Sequence, residues 1–246
     1  MMLTMPGQET TWKTKKALVI GGTGGIGLSC THTLLDLGCQ VTALGRPKSR
    51  PELAGVQGLS VVSMEIRTPE QTIAQLQDET GPLTQWDILI CAFGPYLHGP
   101  LTLAAPGDWQ HITLLNLALP GALVSAVLPG MMERRFGRIL LFGGTGADRI
   151  NGYRQTAVYQ AAKAGLGVLA KSVSSQAAEF GVSCNVICPG YIATEYYSPG
   201  LLAQARRHLP QGEPGKPEDL DELIRLLVKN PANLLNGAII SAGQGL

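Results

Sequence analysis

The sequence has no surplus of either charge. Its 19 Lys and Arg stand against 18 Asp and Glu, with the basic residues scattered. A nucleic-acid partner needs a basic face, so none is expected. No apolar run approaches the roughly 20 residues of a membrane span, so no membrane partner is expected either. Met1 to Lys16 is polar and basic, without an apolar stretch of signal-peptide length. Of the five cysteines none forms a C-x-x-C pair. Cys184 and Cys188 fall on one expected strand. At about 3.3 Å per residue they lie about 13 Å apart, too far for a disulfide or a shared metal. His32, His98, His111 and His208 share no metal-ligand spacing. Reduced core thiols, no metal and a cytoplasmic location are the expectation. No internal repeat or linker divides the chain, so one domain over residues 15–246 is expected, after a flexible tail over 1–14.

What is present is a core. Hydrophobic residues make up 45% of the chain, and short apolar runs alternate with longer helical patterns. The strands expected are Ala17–Ile20, Val41–Leu44, Leu59–Met64, Asp87–Cys91, Arg138–Phe142, Val182–Ile187 and Ala238–Ser241. Several are unbroken apolar runs, as in strands buried on both faces. Helices are expected over Gly25–Leu37, Pro69–Glu79, Trp109–Arg135, Gln155–Glu179 and Pro217–Lys229. The alternation predicts an α/β fold, a single doubly wound parallel sheet of about seven strands flanked by helices. Arg46–Val56 contains Pro47 and Pro51 and leaves room for a short helix at most. Pro189–Lys216 is the longest irregular stretch, rich in Pro, Gly and Tyr. A loop of that length in a compact domain is commonly an active-site lid.

Between the first strand and the first helix stands Gly21-Gly22-Thr23-Gly24-Gly25-Ile26-Gly27. Gly21 suits the tight turn, Gly25 a close approach of a pyrophosphate, and Gly27 close helix–strand packing. The helix N-terminus then offers free N–H groups to the anion. The run fits both G-x-x-x-G-x-G and the looser G-x-G-x-x-G. The second strand ends at Gly45-Arg46, followed by Lys48 and Arg50, with no acid there to hold a ribose 2′-hydroxyl. A guanidinium holds a 2′-phosphate in a fork, which favours NADP over NAD; a solvated basic loop is the alternative reading.

Tyr159 and Lys163 stand four apart in Y-Q-A-A-K and share one helical face. An ammonium there stabilises phenolate and would lower the tyrosine pKa from about 10. That spacing also occurs on ordinary helices. It gains meaning from the company of the glycine loop.

Taken together, in this order along nearly the whole chain, these residues resemble the short-chain dehydrogenase/reductase family. The glycine loop is similar to its T-G-x-x-x-G-x-G, with Ile20 at the Thr. Cys91-Ala92-Phe93-Gly94 resembles N-N-A-G, Glu65-Ile66 the adenine-pocket D-V, and Asn185 to Thr194 its N-x-x-x-P-G-x-x-x-T. Asn116 falls at the family's helix Asn. The resemblance implies cofactor contacts from Gly21, Thr23, Gly24, Gly25, Ile26, Gly27, Arg46, Glu65, Ile66, Ala92, Gly94, Tyr159, Lys163, Pro189, Gly190, Ile192 and Thr194. It implies hydride transfer between NADP(H) and a small-molecule carbonyl or alcohol, with Tyr159 as general acid/base. Lys163 would hold the nicotinamide ribose, and Asn116 would hold a water on its carbonyl at the end of a proton relay. Pro120, four residues on, has no N–H for that carbonyl and is expected to keep it open.

The chain departs from the family at the catalytic serine. Gly144 stands in its place, in a segment about two residues longer, so Thr145 or a backbone N–H is expected to substitute. This departure, with Cys91 for Asn, raises the alternative of an NADP-binding sensor or scaffold with little turnover. Met131–Ile139 and Gly190–Glu195 also resemble 3-oxoacyl carrier-protein reductases. There Arg135 would be one carrier-docking base, while the second falls at the uncharged Ser175. Tyr191, Tyr196, Tyr197, Leu201 and Leu202 favour an apolar or aromatic substrate, or simply pack the lid. The resemblance further implies a homodimer or homotetramer, joined through Trp109–Arg135 and Gln155–Glu179.

Overall fold

Seven strands form one all-parallel sheet in the order β3-β2-β1-β4-β5-β6-β7. The structure, a computed structural model, describes residues 12–46, 50–197, 199–232 and 234–245, without the side chains of Pro199, Leu201, Gln204 and His208. Most of the expected tail, and Lys48, lie outside the described residues. The strands are β1 (Lys16–Ile20), β2 (Gln40–Gly45), β3 (Leu59–Ser63), β4 (Ile88–Cys91), β5 (Gly137–Phe142), β6 (Val182–Pro189) and β7 (Ile239–Ala242). The helices are α1 (Gly25–Asp36), α2 (Pro69–Thr80), α3 (Pro106–Thr113), α4 (Leu119–Glu133), α5 (Ala157–Ala177), α6 (Pro199–His208) and α7 (Asp221–Lys229).

Both faces of the sheet are covered, which is why its strands read as continuous apolar runs. Alternate residues feed two cores. Leu18, Leu89, Ile139 and Val186 pack under α2, α4 and α5, through Leu76, Leu123 and Leu166. Val19, Ile90, Leu140 and Ile187 pack under α1 and α7, through Leu34 and Ile224. Leu123 is fully buried. All five cysteines are buried and unpaired.

The order of the strands places a switch point between β1 and β4. The chain leaves β1 towards β2 and β3, then returns to the other side of β1 for β4. The crevice beyond the carboxyl ends of β1 and β4 is where a doubly wound sheet takes its ligand.

The structure differs from expectation in three respects. The long helix starts at Pro106 rather than Trp109 and is interrupted by a π-helical turn over Leu114–Ala118. There the Leu119 N–H donates to the Leu114 carbonyl, five residues back. Pro120 explains it: a proline ring presses on the carbonyl four residues earlier and gives it no donor, and a widened turn relieves the clash. Residues Pro106–Glu133 together are also long and apolar enough to cross a bilayer, contrary to the reading that no run approaches that length. Leu115, Leu119, Leu123, Val127 and Met131 of this run lie in the core beneath the sheet, so its apolar character serves packing.

The third difference is α6, inside the stretch read as irregular. Its residues Leu201–Arg207 are good helix formers, hidden between Pro199-Gly200 and the Pro- and Gly-rich segment that follows. Among the described residues between Arg46 and Val56, only a 3-10 turn, Pro51–Leu53, forms.

Candidate active site and cofactor cleft

The glycine loop joins β1 to α1. Gly21 has φ +80, and a side chain there would begin 2.7 Å from the Ala92 carbonyl oxygen. A side chain on Gly27 would collide with the Gly21 carbonyl, so the loop folds tightly onto the helix only with glycine here. Thr31 Oγ1 donates to the Gly22 carbonyl at 2.9 Å and braces the loop from α1. Thr23 packs over Gly45 at the end of β2, and Ile26 packs against the core.

An anion already sits at this helix N-terminus. Both carboxylate oxygens of Glu195 accept from the Gly25 N–H, at 3.2 and 3.1 Å. Arg50 Nη2 pairs with Glu195 Oε1 at 2.6 Å. The side chain of Arg46 lies over the Tyr196 ring, 5.2 Å from its centroid. Glu65, after β3, is exposed and pairs with Arg67 at 2.9 Å, and Ile66 packs at the edge of the core. Thr194 lies against Gly25, its Cγ2 3.2 Å from where a side chain there would begin.

The second half of the cleft gathers at the ends of β4, β5 and β6. A side chain on Gly94 would collide with Asn116 Oδ1 and begin 3.3 Å from Lys163 Nζ, so these three groups meet at one point. Asn116 is fully buried; its Nδ2 donates to the carbonyls of Pro95 (3.0 Å) and Ile112 (3.1 Å). Its Oδ1 is buried without a partner. The π-turn carries Asn116 to this position.

Lys163 is 5% exposed, and its Nζ donates to the Phe142 carbonyl at 2.8 Å. Burial lowers its pKa to about 8, opposed by the Cys91 and Cys188 thiols. The amine lies 5.7 Å from the centroid of the Tyr159 ring, and the edge of Tyr96 packs against that ring at 5.1 Å. Tyr159 does not show the lowered pKa expected from its lysine. Desolvation pushes it above the usual phenol range, with Tyr96, Tyr197 and Cys188 adding to the rise. The amine faces the Phe142 carbonyl and is itself destabilised as a cation, so burial outweighs it. Cys91 remains a thiol, pushed up to about 12 by burial.

At Gly144, where the resemblance puts the family's serine, a neighbouring side chain takes the space. A side chain on Gly144 would begin 2.6 Å from Gln160 Oε1 and 3.0 Å from Tyr159 Cε1. Gln160 therefore fills the space beside the phenol. Its Nε2 donates to the Thr145 carbonyl at 3.0 Å, and its Oε1 is buried without a partner. The Thr145 hydroxyl donates to the Pro189 carbonyl at 3.0 Å. The Gly190 N–H donates to Ala242 at 3.0 Å, and Ile192 is buried in the core beside α1 and α7. Gln160, Arg50 and Glu195 are the site residues that motif reading did not single out for these places. Arg50 stood in the basic run after β2, and Gln160 is a long polar residue beside Tyr159 on an Ala-rich helix; Glu195 left no such trace.

Comparison with known proteins shows the family. The sequence model described as short chain dehydrogenase matches residues 15–200, and the chain belongs to that family of oxidoreductases. It is similar to YtkK of Bacillus subtilis, 30% identical over 94% of this chain and 96% of that one. It is also similar to an acetoacetyl-CoA reductase of Shinella zoogloeoides (29%, 93% and 97%) and to the 3-oxoacyl-[acyl-carrier-protein] reductase FabG of Escherichia coli strain K12 (28%, 94% and 97%). Among solved structures, a short chain dehydrogenase/reductase family oxidoreductase from Burkholderia thailandensis superposes with a TM-score of 0.79 at 27% identity, covering 94% of this chain and 92% of that one. Gox2181 superposes at 0.80 with 25% identity (94% and 95%).

Proposed function

We propose that the chain is an NADP-dependent reductase of carbonyl compounds, working reversibly on the corresponding alcohols, with Tyr159 as the proton donor. The observation that carries this reading is the convergence of Tyr159, Lys163 and Asn116 at the carboxyl ends of β4 and β5, beside the glycine loop. The cleft fits a dinucleotide: a carboxylate already rests on the Gly25 N–H as a pyrophosphate would, and Asn116 Oδ1 waits without a partner. When bound, NADPH supplies the hydride. Gly21 to Gly27 and Thr194 would hold its phosphates and carboxamide, Arg46 its 2′-phosphate, and Ala92, Gly94, Pro189, Gly190 and Ile192 would line the walls.

The protein's own part is proton transfer and orientation. Tyr159, held protonated by its surroundings, gives its proton to the substrate oxygen as that oxygen gains charge. The charged Lys163 stabilises the phenolate left behind, and Asn116 holds the floor of the cleft in place. Thr145 is the hydroxyl available to polarise the carbonyl; to do so it must leave Pro189. Removing one such donor costs about 10²–10³ in rate. Thr145→Val is therefore expected to lower kcat at least about 10²-fold, with Thr145→Ser close to the parent; equal kcat for the valine variant removes this role.

The absence of an acid at the end of β2 supports NADP. Fluorescence titration is expected to show NADPH binding at least about tenfold tighter than NADH; equal or tighter NADH refutes the preference. The substrate class is an apolar or aromatic carbonyl compound. Tyr96, Tyr191, Tyr196 and Tyr197 supply the aromatic surroundings, and the names of two relatives put 3-oxoacyl thioesters among the candidates. Arg135 donates to the Glu179 carbonyl at 2.7 Å and lies 5.7 Å from the Phe180 ring, which leaves a carrier-docking role with one engaged base. Exposed Trp109 and Val168, on the helices expected at an interface, support a homodimer or homotetramer. Five buried free thiols suit a reducing cytoplasm.

A further inference from the structure

Gly24 has no side chain, and the space it leaves is taken by residues from two distant segments. Arg50 Nη2 lies 3.1 Å from where a Gly24 side chain would begin, and the Tyr196 hydroxyl crowds the same point. Arg50 comes from the β2–β3 crossover, and Tyr196 from the loop after β6. Glu195 joins them, bound through both oxygens to the Gly25 N–H and through Oε1 to Arg50 at 2.6 Å. Arg50 also pairs with Glu52 at 3.2 Å. Burial alone would raise the Glu195 pKa, but its hydrogen bonds and Arg50 hold it below the usual carboxylate value. The carboxylate is thus an anion at neutral pH, held by one backbone N–H and one guanidinium at the mouth of the cleft.

These are the donors a dinucleotide phosphate needs: a helix N-terminal N–H and a forked guanidinium. Two anions do not share them. We propose that Arg50 is a cofactor-phosphate ligand of this chain and that Glu195 is its internal stand-in, so that cofactor binding exchanges a carboxylate for a phosphate at Gly25 and Arg50. The inference rests on the cofactor reading above. In the free chain the exchange pair ties the loop after β6 to the glycine loop, with Tyr196 laid over Gly24 and Arg46 stacked on its ring. Displacing Glu195 frees Arg46, Arg50 and this loop together. Every dinucleotide must first overcome the tethered carboxylate, so affinity is held below what the same donors would give an open cleft.

The test is equilibrium titration of NADPH and NADH, followed by nicotinamide fluorescence, into the parent chain and the variants Glu195→Ala, Glu195→Gln and Arg50→Ala. Circular dichroism establishes that each is folded. Glu195→Ala is expected to bind NADPH about five- to tenfold tighter than the parent, with Glu195→Gln in between because its amide oxygen still accepts from Gly25. Arg50→Ala is expected to bind NADPH about tenfold more weakly. NADPH affinity in Glu195→Ala equal to or weaker than the parent's, or unchanged in Arg50→Ala, overturns the exchange while leaving the cofactor reading intact. If neither the parent nor any variant binds either dinucleotide, the cofactor reading itself fails, and the exchange with it.

Discussion

Lys163→Met is expected to raise the melting temperature while abolishing turnover. The parent holds this amine in the core with its pKa drawn from 10.5 to about 8. That drop corresponds to roughly 3 kcal/mol of disfavoured charge. The folded pKa lies below the unfolded one, so the penalty is full below pH about 8, shrinks as pH rises towards 10.5, and is gone above it. The variant loses the bond to the Phe142 carbonyl, which offsets about 1–2 kcal/mol. The net gain near pH 7 is about 1–2 kcal/mol, a few degrees in Tm for a domain of this size. Melts at pH 7 and pH 10.5 check the sign: the advantage must fall with pH. In the parent, kcat/KM for reduction should decline as pH rises through about 8, where Lys163 loses its charge and with it the support for phenolate. A variant less stable than the parent at pH 7 contradicts the picture of a destabilised amine kept for chemistry.

Tyr159→Phe is expected to lower kcat by about 10²–10⁴, the usual worth of a placed general acid, while NADPH affinity stays within about twofold. The substitution removes one oxygen from a ring already packed against Tyr96 at 5.1 Å, and the fold should tolerate it. The retained affinity separates lost chemistry from lost binding. A fall in NADPH affinity to match the fall in rate would assign the hydroxyl to cofactor binding instead. Because burial raises the phenol pKa, the parent should show no loss of reduction from phenol ionisation anywhere near neutral pH.

The fold was open to reading because both faces of the sheet are covered. That burial turns β1, β4, β5 and β6 into unbroken apolar runs and makes the alternation with helices plain. The glycine loop was equally legible, since Gly27 answers to a collision with the nearby Gly21 carbonyl and Gly21 takes a positive φ at the turn. What escaped reading depends on contacts between distant segments. Nothing near Gly144 in sequence tells that Gln160, on α5, fills its missing side chain. Nothing near Arg50 tells that Glu195, 145 residues away, is its partner. The π-turn over Leu114–Ala118 was not visible: Pro120 suggested an open Asn116 carbonyl, not the widened turn that forms around it. Helix α6 was lost to the composition of its surroundings. The expected fall in the Tyr159 pKa went wrong because spacing gives proximity but not the cost of burial. Desolvation of the phenol outweighs a cation that is itself desolvated and turned to a carbonyl.

The most direct test of the central claim is NADPH oxidation by the parent chain and Tyr159→Phe over a panel of ketones, aldehydes and 3-oxoacyl thioesters. The account predicts turnover by the parent on at least one apolar or thioester carbonyl, with the phenylalanine variant at least about 10²-fold slower on that substrate. NADPH binding by both proteins, with no parent rate above the variant's on any compound, would contradict it and leave a dinucleotide-binding sensor on a reductase fold.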